Sequence, residues 1–64
     1  MVFNELDNII TKVEKNGIPA GFRGMIVHVY EKGEAYEVEI VDKNLDSLDI
    51  VTYKNNELEL YKKK

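Results

Sequence analysis

The fold is decided by residues 21–42, whose sequence is GFRGMIVHVYEKGEAYEVEIVD. Apolar and polar side chains alternate on both sides of a short polar interruption at residues 31–34, and a period of two is typical of β-strands. Gly33 lies in that interruption and can take a positive φ without a Cβ clash, as a tight turn between twisted strands requires. The segment therefore predicts a central antiparallel hairpin.

The alternation also predicts which side chains of the hairpin face the core. Consecutive side chains of a strand point to opposite faces, so an inward Val38 requires Glu37 and Glu39 to point outward. The later strands complete the core that we expect. Its predicted members are Val27, Val29, Tyr36, Val38, Ile40, Ile50 and Leu58.

One strand is predicted before the hairpin. The segment Ile9–Val13 is rich in β-branched residues, which favours a strand, although Leu6, Ile9, Ile10 and Val13 also have a helical spacing. Residues 16–21 contain two glycines and a proline, which cannot lie inside a regular element. They predict a surface loop that leads into the hairpin.

Two strands are predicted after the hairpin. Residues 42–47 are polar and predict a turn, and residues 48–53 predict a fourth strand with Leu48, Ile50 and Thr52 inward. On this interpretation Asp49, Val51 and Tyr53 point outward. Residues 54–57 predict a tight turn of the 3₁₀ kind, followed by a short closing strand at residues 58–61 with Leu58 and Leu60 inward.

Five short strands in 64 residues predict an all-β fold, a small five-stranded, SH3-like, partly open barrel. Residues 1–64 form a single domain that ends in a lysine tail at residues 62–64. A domain of this size buries only about 60% of the surface that its unfolded chain exposes. We therefore expect marginal stability and little room for a deep pocket.

Composition excludes several classes of function. The chain has no cysteine, which rules out disulfides and thiolate zinc sites. It carries 12 acidic and 9 basic residues, for a net charge of −3, and the part that precedes the lysine tail carries −6. Such a surface repels a phosphate backbone and attracts a basic partner. With no signal peptide and no long apolar run, we expect a soluble, cytoplasmic protein that does not enter the membrane.

The residues also resemble a known family. Gly17, Gly21 and the segment Gly24–Tyr30, followed by Gly33–Asp42 and Val51-Thr52, are similar to the pattern G-x-x-x-G-x-x-G-x-V-V-x-V-Y…A-Y-E-V-E-F-V-D of a family of very small bacterial proteins of unknown function. Leu45-Asp46 stands where members commonly carry a glycine, and Tyr53 where a leucine is usual. The resemblance implies an SH3-like barrel and no established activity. It also suggests an antitoxin or immunity role.

Candidate catalytic groups do not form a convincing set. His28 is the only histidine, and no nucleophile or ligand cluster stands at a recognisable spacing from it. Glu37 and Glu39 are about 6.5 to 7 Å apart by strand rise, but alternating glutamates are the ordinary solvent face of a strand. The glycines at 17, 21 and 24 precede a strand and are turn glycines, not a phosphate loop. We predict that the protein is not an enzyme and uses no cofactor or metal.

What remains is an acidic, tyrosine-bearing face, which is either a plain solvated surface or a binding site for a protein. The residues predicted to bind a partner are Tyr30, Glu31, Glu34, Glu37, Glu39, Asp42, Asp49 and Tyr53. We expect a basic protein partner, such as a toxin or nuclease that this chain neutralises as an antitoxin or immunity protein. The alternative is a KOW- or Tudor-like module associated with RNA or the ribosome, which the acidic charge disfavours. Self-association through the closing strand is a third possibility.

Overall fold

The computed structural model describes residues 2–62, apart from the side chain of Lys32. Lys63 and Lys64 of the predicted lysine tail lie outside the described residues. The five strands are β1 (Asn8–Thr11), β2 (Arg23–Tyr30), β3 (Ala35–Val41), β4 (Ser47–Lys54) and β5 (Leu58–Leu60). Single 3₁₀ turns at Glu31–Gly33 and Asn55–Glu57 join β2 to β3 and β4 to β5. The element order confirms the all-β prediction, with boundaries that differ from it by one or two residues.

The strands form one open antiparallel sheet in the order β4-β3-β2-β1-β5. Strands β4 and β5 are therefore its edges, and the arrangement is consistent with a small, partly open barrel. The turn between β2 and β3 forms as the sequence predicts, since Gly33 has a φ of +90°. The N–H of Glu34 donates to Tyr30 O at 3.2 Å and closes that turn.

The core lies on one face of the sheet. Its buried apolar side chains are Phe3, Ile9, Ile26, Tyr36, Val38, Ile40, Val51, Tyr53 and Leu58. The predicted core positions Tyr36, Val38, Ile40 and Leu58 are confirmed, and Val29 packs against the cluster while remaining partly exposed. Phe3 was not predicted. Its ring meets that of Tyr36 edge to face, with centroids 5.3 Å apart.

The prediction that Val27 is a core residue is wrong because β2 contains a bulge. Ile26 pairs with Val38 and His28 pairs with Glu37, so Val27 is the extra residue between two regular pairs. A bulge changes the phase of the alternation along its strand. As a result Ile26 is fully buried and Val27 is 37% exposed.

The predicted orientation of β4 is wrong throughout. Tyr53 pairs with Tyr36 and Val51 with Val38, so the core side of β4 carries Val51 and Tyr53. Both side chains are buried, whereas Ile50 and Leu48 are 56% and 48% exposed. Thr52, which we expected to continue the inward row, is exposed as well. The register of pairing with β3 decides which side chains of β4 face the core, because a shift of the register by one residue moves every side chain to the opposite face of the sheet.

Side chains cap the free edge of β4. Alternate residues of an edge strand direct their N–H and C=O groups away from the sheet. Here the N–H of Ile50 donates to Asp49 Oδ1 at 2.8 Å, and Thr52 O accepts a bond of 3.0 Å from Lys15 Nζ. The N–H of Lys54 donates to Glu57 Oε1 at 2.8 Å. Three successive edge-directed positions are thus bonded to charged side chains.

The cap from Lys15 depends on a small turn within the predicted loop. Asn16 and Gly17 both have positive φ, +53° and +80°, and Lys15 and Ile18 exchange two backbone hydrogen bonds of 2.8 and 2.9 Å. Asn-Gly is the preferred pair for such a turn because both residues tolerate the left-handed region. Lys15 Nζ then reaches Glu57 Oε1 at 2.8 Å and lies 5.3 Å from the centroid of the Tyr53 ring.

The turn between β3 and β4 forms around Asp42. Its Oδ1 accepts hydrogen bonds from the N–H groups of Asn44 and Asp46, at 2.8 and 3.0 Å, as the polar sequence predicts. Leu45 is in the left-handed region with a φ of +68°, a conformation that favours glycine. The resembling family commonly carries a glycine at the Leu45-Asp46 pair, which includes this residue.

A candidate protein-binding face

We call outer face the surface of β2, β3 and β4 that points away from the core. Cross-strand pairing places His28 beside Glu37 and Glu37 beside Thr52, and it places Met25 beside Glu39 and Glu39 beside Ile50. Side chains on neighbouring strands at such pairs lie about 4.5 to 5.5 Å apart at Cβ. The outer face therefore brings together two carboxylates, aromatic rings and exposed apolar groups.

Glu37 lies at the centre of a hydrogen-bonded group on the outer face. Its Oε2 accepts a bond of 2.5 Å from Tyr30 Oη, and its Oε1 accepts one of 3.0 Å from Thr52 Oγ1. These two bonds join β2, β3 and β4 through side chains. They fix the direction of the Tyr30 ring, which is 38% exposed and needs little further ordering to contact a partner.

The same hydrogen bonds set the charge state of the group. Donation from Tyr30, then from Thr52, lowers the pKa of the Glu37 carboxyl, and the nearby His28 lowers it slightly more. The bond to Glu37 in turn raises the pKa of the Tyr30 hydroxyl. At neutral pH the pair is therefore an ionised carboxylate and a neutral phenol. A carboxyl with a lowered pKa is a poor proton donor in this pH range.

His28 is exposed and belongs to the aromatic part of the outer face. Its ring lies edge-on to that of Tyr30, with centroids 4.6 Å apart and an interplanar angle of 77°. Edge-to-face contacts of this kind are favourable and further orient the tyrosine. The described residues contain no group of three or more His, Cys, Asp or Glu side chains that could hold a metal ion.

The described side chains do not neutralise the negative charge of the outer face. Among them the ion pair that the structure shows is Lys15–Glu57, which lies at the β4 edge. Neither Glu37 nor Glu39 forms an ion pair with any described lysine or arginine side chain. Beside these carboxylates, the exposed Ile50 and Val27 supply apolar surface. A surface with apolar contacts and uncompensated charge favours a partner of opposite charge.

The structure brings together only part of the predicted partner-binding set. Tyr30, Glu37 and Glu39 share the outer face, and Glu31 and Glu34 are exposed in the turn at the end where Tyr30 lies. The remaining three predicted residues do not lie on the outer face; they are Asp42, Asp49 and Tyr53.

The prediction that Tyr53 is a surface anchor for a partner is wrong, because its side chain is fully buried. Asp49 pairs with Ile40, so it lies on the core side of β4 although it is exposed, and its carboxylate caps the next N–H. Asp42 lies beyond the far end of β3 and its carboxylate stabilises a turn. These three residues therefore do not belong to the outer face.

Sequence reasoning missed Val27, Ile50 and Thr52 as outer-face residues because it assigned all three to the inward rows. The bulge that exposes Val27 leaves no mark in the alternation of apolar residues. For β4 a signal was available. The resembling family commonly has leucine where this chain has Tyr53, and an apolar residue at that position places the row of residues 51 and 53 in the core.

No curated protein and no solved structure matches the chain. In residues 2–62, no helix is long and apolar enough to cross a membrane. Residues 6–60 match the family described as domain of unknown function DUF4926, and since the match covers most of the 64 residues, the chain belongs to that family.

Proposed function

We propose that this chain is a non-enzymatic protein-binding module whose outer face docks a basic partner, and that it acts as an antitoxin or immunity protein. One observation carries the proposal. Tyr30 is held by an ionised Glu37 beside exposed apolar side chains, on a face whose carboxylates have no cationic partner among the described residues. Tyrosine anchors surrounded by charge are typical of protein interfaces.

The antitoxin or immunity role rests on small size, acidity and the resemblance to a family that suggests it. An acidic chain that covers a basic toxin or nuclease gains association rate from long-range attraction. The proposed SH3-like assignment is supported by the strand order β4-β3-β2-β1-β5 and by the 3₁₀ turn between β4 and β5. We also propose a cytoplasmic location, with which the lack of cysteine is compatible.

Co-expression with the protein encoded by the neighbouring gene tests the proposal. We expect the two proteins to co-purify and the chain to suppress any toxicity of the neighbour. Glu37→Lys/Glu39→Lys should slow association by about tenfold or more at low salt and flatten its salt dependence, because both changes reverse steering charges. Glu5→Lys/Glu14→Lys changes the net charge equally at exposed positions off the outer face and is the matched control.

Two results would contradict the proposal. The first is a harmless neighbour that does not co-purify with the chain. The second is an equal loss of association rate in both double variants, which would show that net charge matters and the outer face does not. Titration with single- and double-stranded RNA tests the alternative, since sub-micromolar binding with a steep salt dependence would instead favour an RNA-associated module.

A further inference from the structure

Two aromatic rings and one carboxylate meet at a single place on the outer face. The ring planes of His28 and Tyr30 lie at 77° to each other, with centroids 4.6 Å apart, and both side chains are exposed. Tyr30 Oη donates to Glu37 Oε2, so the carboxylate lies at the hydroxyl end of the Tyr30 ring. Cross-strand pairing also places His28 directly beside Glu37. We call these three side chains the aromatic corner.

Cations contact tyrosine rings at two other places in this domain. Lys15 Nζ lies 5.3 Å from the centroid of the Tyr53 ring. The guanidinium carbon of Arg23 lies 4.2 Å from the centroid of the Tyr61 ring. Of the lysine and arginine side chains that the structure describes, none lies over the ring of Tyr30. The aromatic corner therefore keeps its ring faces available for a cation from a partner.

The nearly perpendicular rings of the aromatic corner fit a compact cation. A cation in contact with one ring face, at about 4 Å, also lies within about 6 Å of the centroid of the other ring, which is the range of a cation–π contact. A lysine ammonium is such a compact charge, whereas a guanidinium is flat and stacks on one ring at a time. The angle between the rings therefore favours lysine over arginine.

Glu37 has acceptor positions left for this ammonium. An ionised carboxylate offers about four lone-pair positions, and Tyr30 Oη and Thr52 Oγ1 each use one of them. An ammonium needs only one more position, whereas the fork of an arginine needs a free position on both oxygens at once. The two existing bonds also hold the carboxylate in place, so that it needs little further ordering when a cation binds.

We propose that the aromatic corner binds a lysine side chain of a basic protein partner. The inference rests on the proposed function, because it names the kind of residue that the outer face receives from its partner. The ammonium contacts the rings of His28 and Tyr30 and donates a hydrogen bond to Glu37. The uncompensated negative charge of the outer face attracts such a residue from a distance, and the rings then select it at contact.

The test is a titration of the full, ¹⁵N-labelled chain followed by NMR at neutral pH. The probe is acetyl-Ala-Lys-Ala-amide, and its two comparison peptides carry arginine or Nε-acetyl-lysine at the central position. We expect saturable shifts that are largest around residues 28, 30 and 37. The lysine peptide should bind about fivefold tighter than the acetyl-lysine peptide, which has lost its charge, and about two- to threefold tighter than the arginine peptide.

Variants assign the effect to the aromatic corner. Tyr30→Leu and Glu37→Gln should each weaken binding of the lysine peptide by about threefold, because each removes one of the two attractions. Glu39→Gln is the matched control, since it removes the same charge from the same face two residues along β3, and it should weaken binding by less than about twofold. None of the three side chains is buried, and the amide spectrum of each variant checks that it stays folded. If Tyr30→Leu disturbs the sheet, the two glutamate variants and the peptide comparison still decide.

Four results would overturn the inference. They are no saturable binding of the lysine peptide, equal or tighter binding of either comparison peptide, shifts that lie away from the aromatic corner, and equal losses in Glu37→Gln and Glu39→Gln. Co-purification with the neighbouring gene product is a separate result. If the neighbour co-purifies and the lysine peptide does not bind, the lysine site is wrong and the proposed function stands. If the peptide binds at the corner and the neighbour does not co-purify, the antitoxin or immunity role alone is wrong.

Discussion

Two buried tyrosines face each other across β3 and β4, and the same substitution should change stability in opposite directions at the two positions. Tyr36 and Tyr53 are direct cross-strand partners, and both side chains are fully buried. Tyr36 Oη accepts hydrogen bonds from the N–H of Phe3 at 3.1 Å and from Asn55 Nδ2 at 2.9 Å. Tyr53 Oη is buried with no hydrogen-bond partner among the described residues.

The magnitudes follow from these contacts. A buried hydroxyl without a partner costs about 1 to 3 kcal/mol relative to water, so Tyr53→Phe should raise the free energy of unfolding by about 1 kcal/mol. Burial is also the main reason that the pKa of the Tyr53 hydroxyl is raised. Tyr36→Phe removes the acceptor of the buried Phe3 N–H and should lower the free energy of unfolding by about 1 to 3 kcal/mol.

Urea unfolding followed by circular dichroism measures both values, and thermal melts should show midpoints that move in opposite directions. In a domain of this size 1 kcal/mol corresponds to about 4 to 8 °C. A Tyr53→Phe protein that is less stable than the parent would refute the reasoning, because it would show that Tyr53 Oη has a partner such as a bound water. The double variant tests whether the two hydroxyls act independently.

Three further predictions follow from backbone geometry and charge. Gly24→Ala should cost about 2 kcal/mol or more, since the added Cβ would lie 2.7 Å from Val38 Cγ1, and a urea titration measures the loss. Leu45→Gly should raise the melting midpoint by a few degrees. Glycine relieves a left-handed backbone strain of about 1 to 2 kcal/mol in the folded state, which outweighs the about 0.5 to 1 kcal/mol that its greater freedom gives the unfolded chain. An unchanged or lower midpoint would contradict this reasoning. Hydrogen bonds from Lys15 and the N–H of Lys54 lower the pKa of Glu57 from its ordinary value of 4.5. The contribution of Glu57 to the free energy of unfolding is therefore present above about pH 4.5 and is lost as the pH falls through the lowered pKa. The decrease in this free energy from pH 7 to pH 3 should therefore be larger in the parent than in Glu57→Gln.

Local chemistry made much of the fold predictable from the sequence. The hairpin, its Gly33 turn and the Asp42 turn depend on residues close together in the chain, and each forms as expected. The 3₁₀ turn before the last strand is confirmed as well. Elements of this kind can be predicted from the alternation of apolar and polar residues, from a residue that tolerates a positive φ, or from a side chain that can hydrogen-bond a nearby backbone N–H.

The faces of β2 and β4 were not predictable in the same way, because partners distant in sequence decide them. A single extra residue at Val27 changes the phase of β2, and the pairing of Tyr53 with Tyr36 determines the phase of β4. Leu48 and Ile50 are as hydrophobic as Val51 and Tyr53, so alternation alone could not choose between the two rows. The Tyr30–Glu37 bond was likewise unforeseen, although the sequence did place both residues in the candidate site.

The capped edge of β4 has a consequence for the protein in concentrated solution. An edge strand with free N–H and C=O groups is a template on which another chain can add a strand and start a fibre. In this domain Asp49, Glu57 and Lys15 occupy three of those groups, beside the exposed and β-prone Leu48 and Ile50. The Glu57 carboxylate binds the N–H of Lys54 more weakly once it is protonated, and its lowered pKa delays that step to below about pH 4.5. Storage at a pH below this lowered pKa should therefore promote fibre growth from molecules whose circular dichroism spectrum is still native.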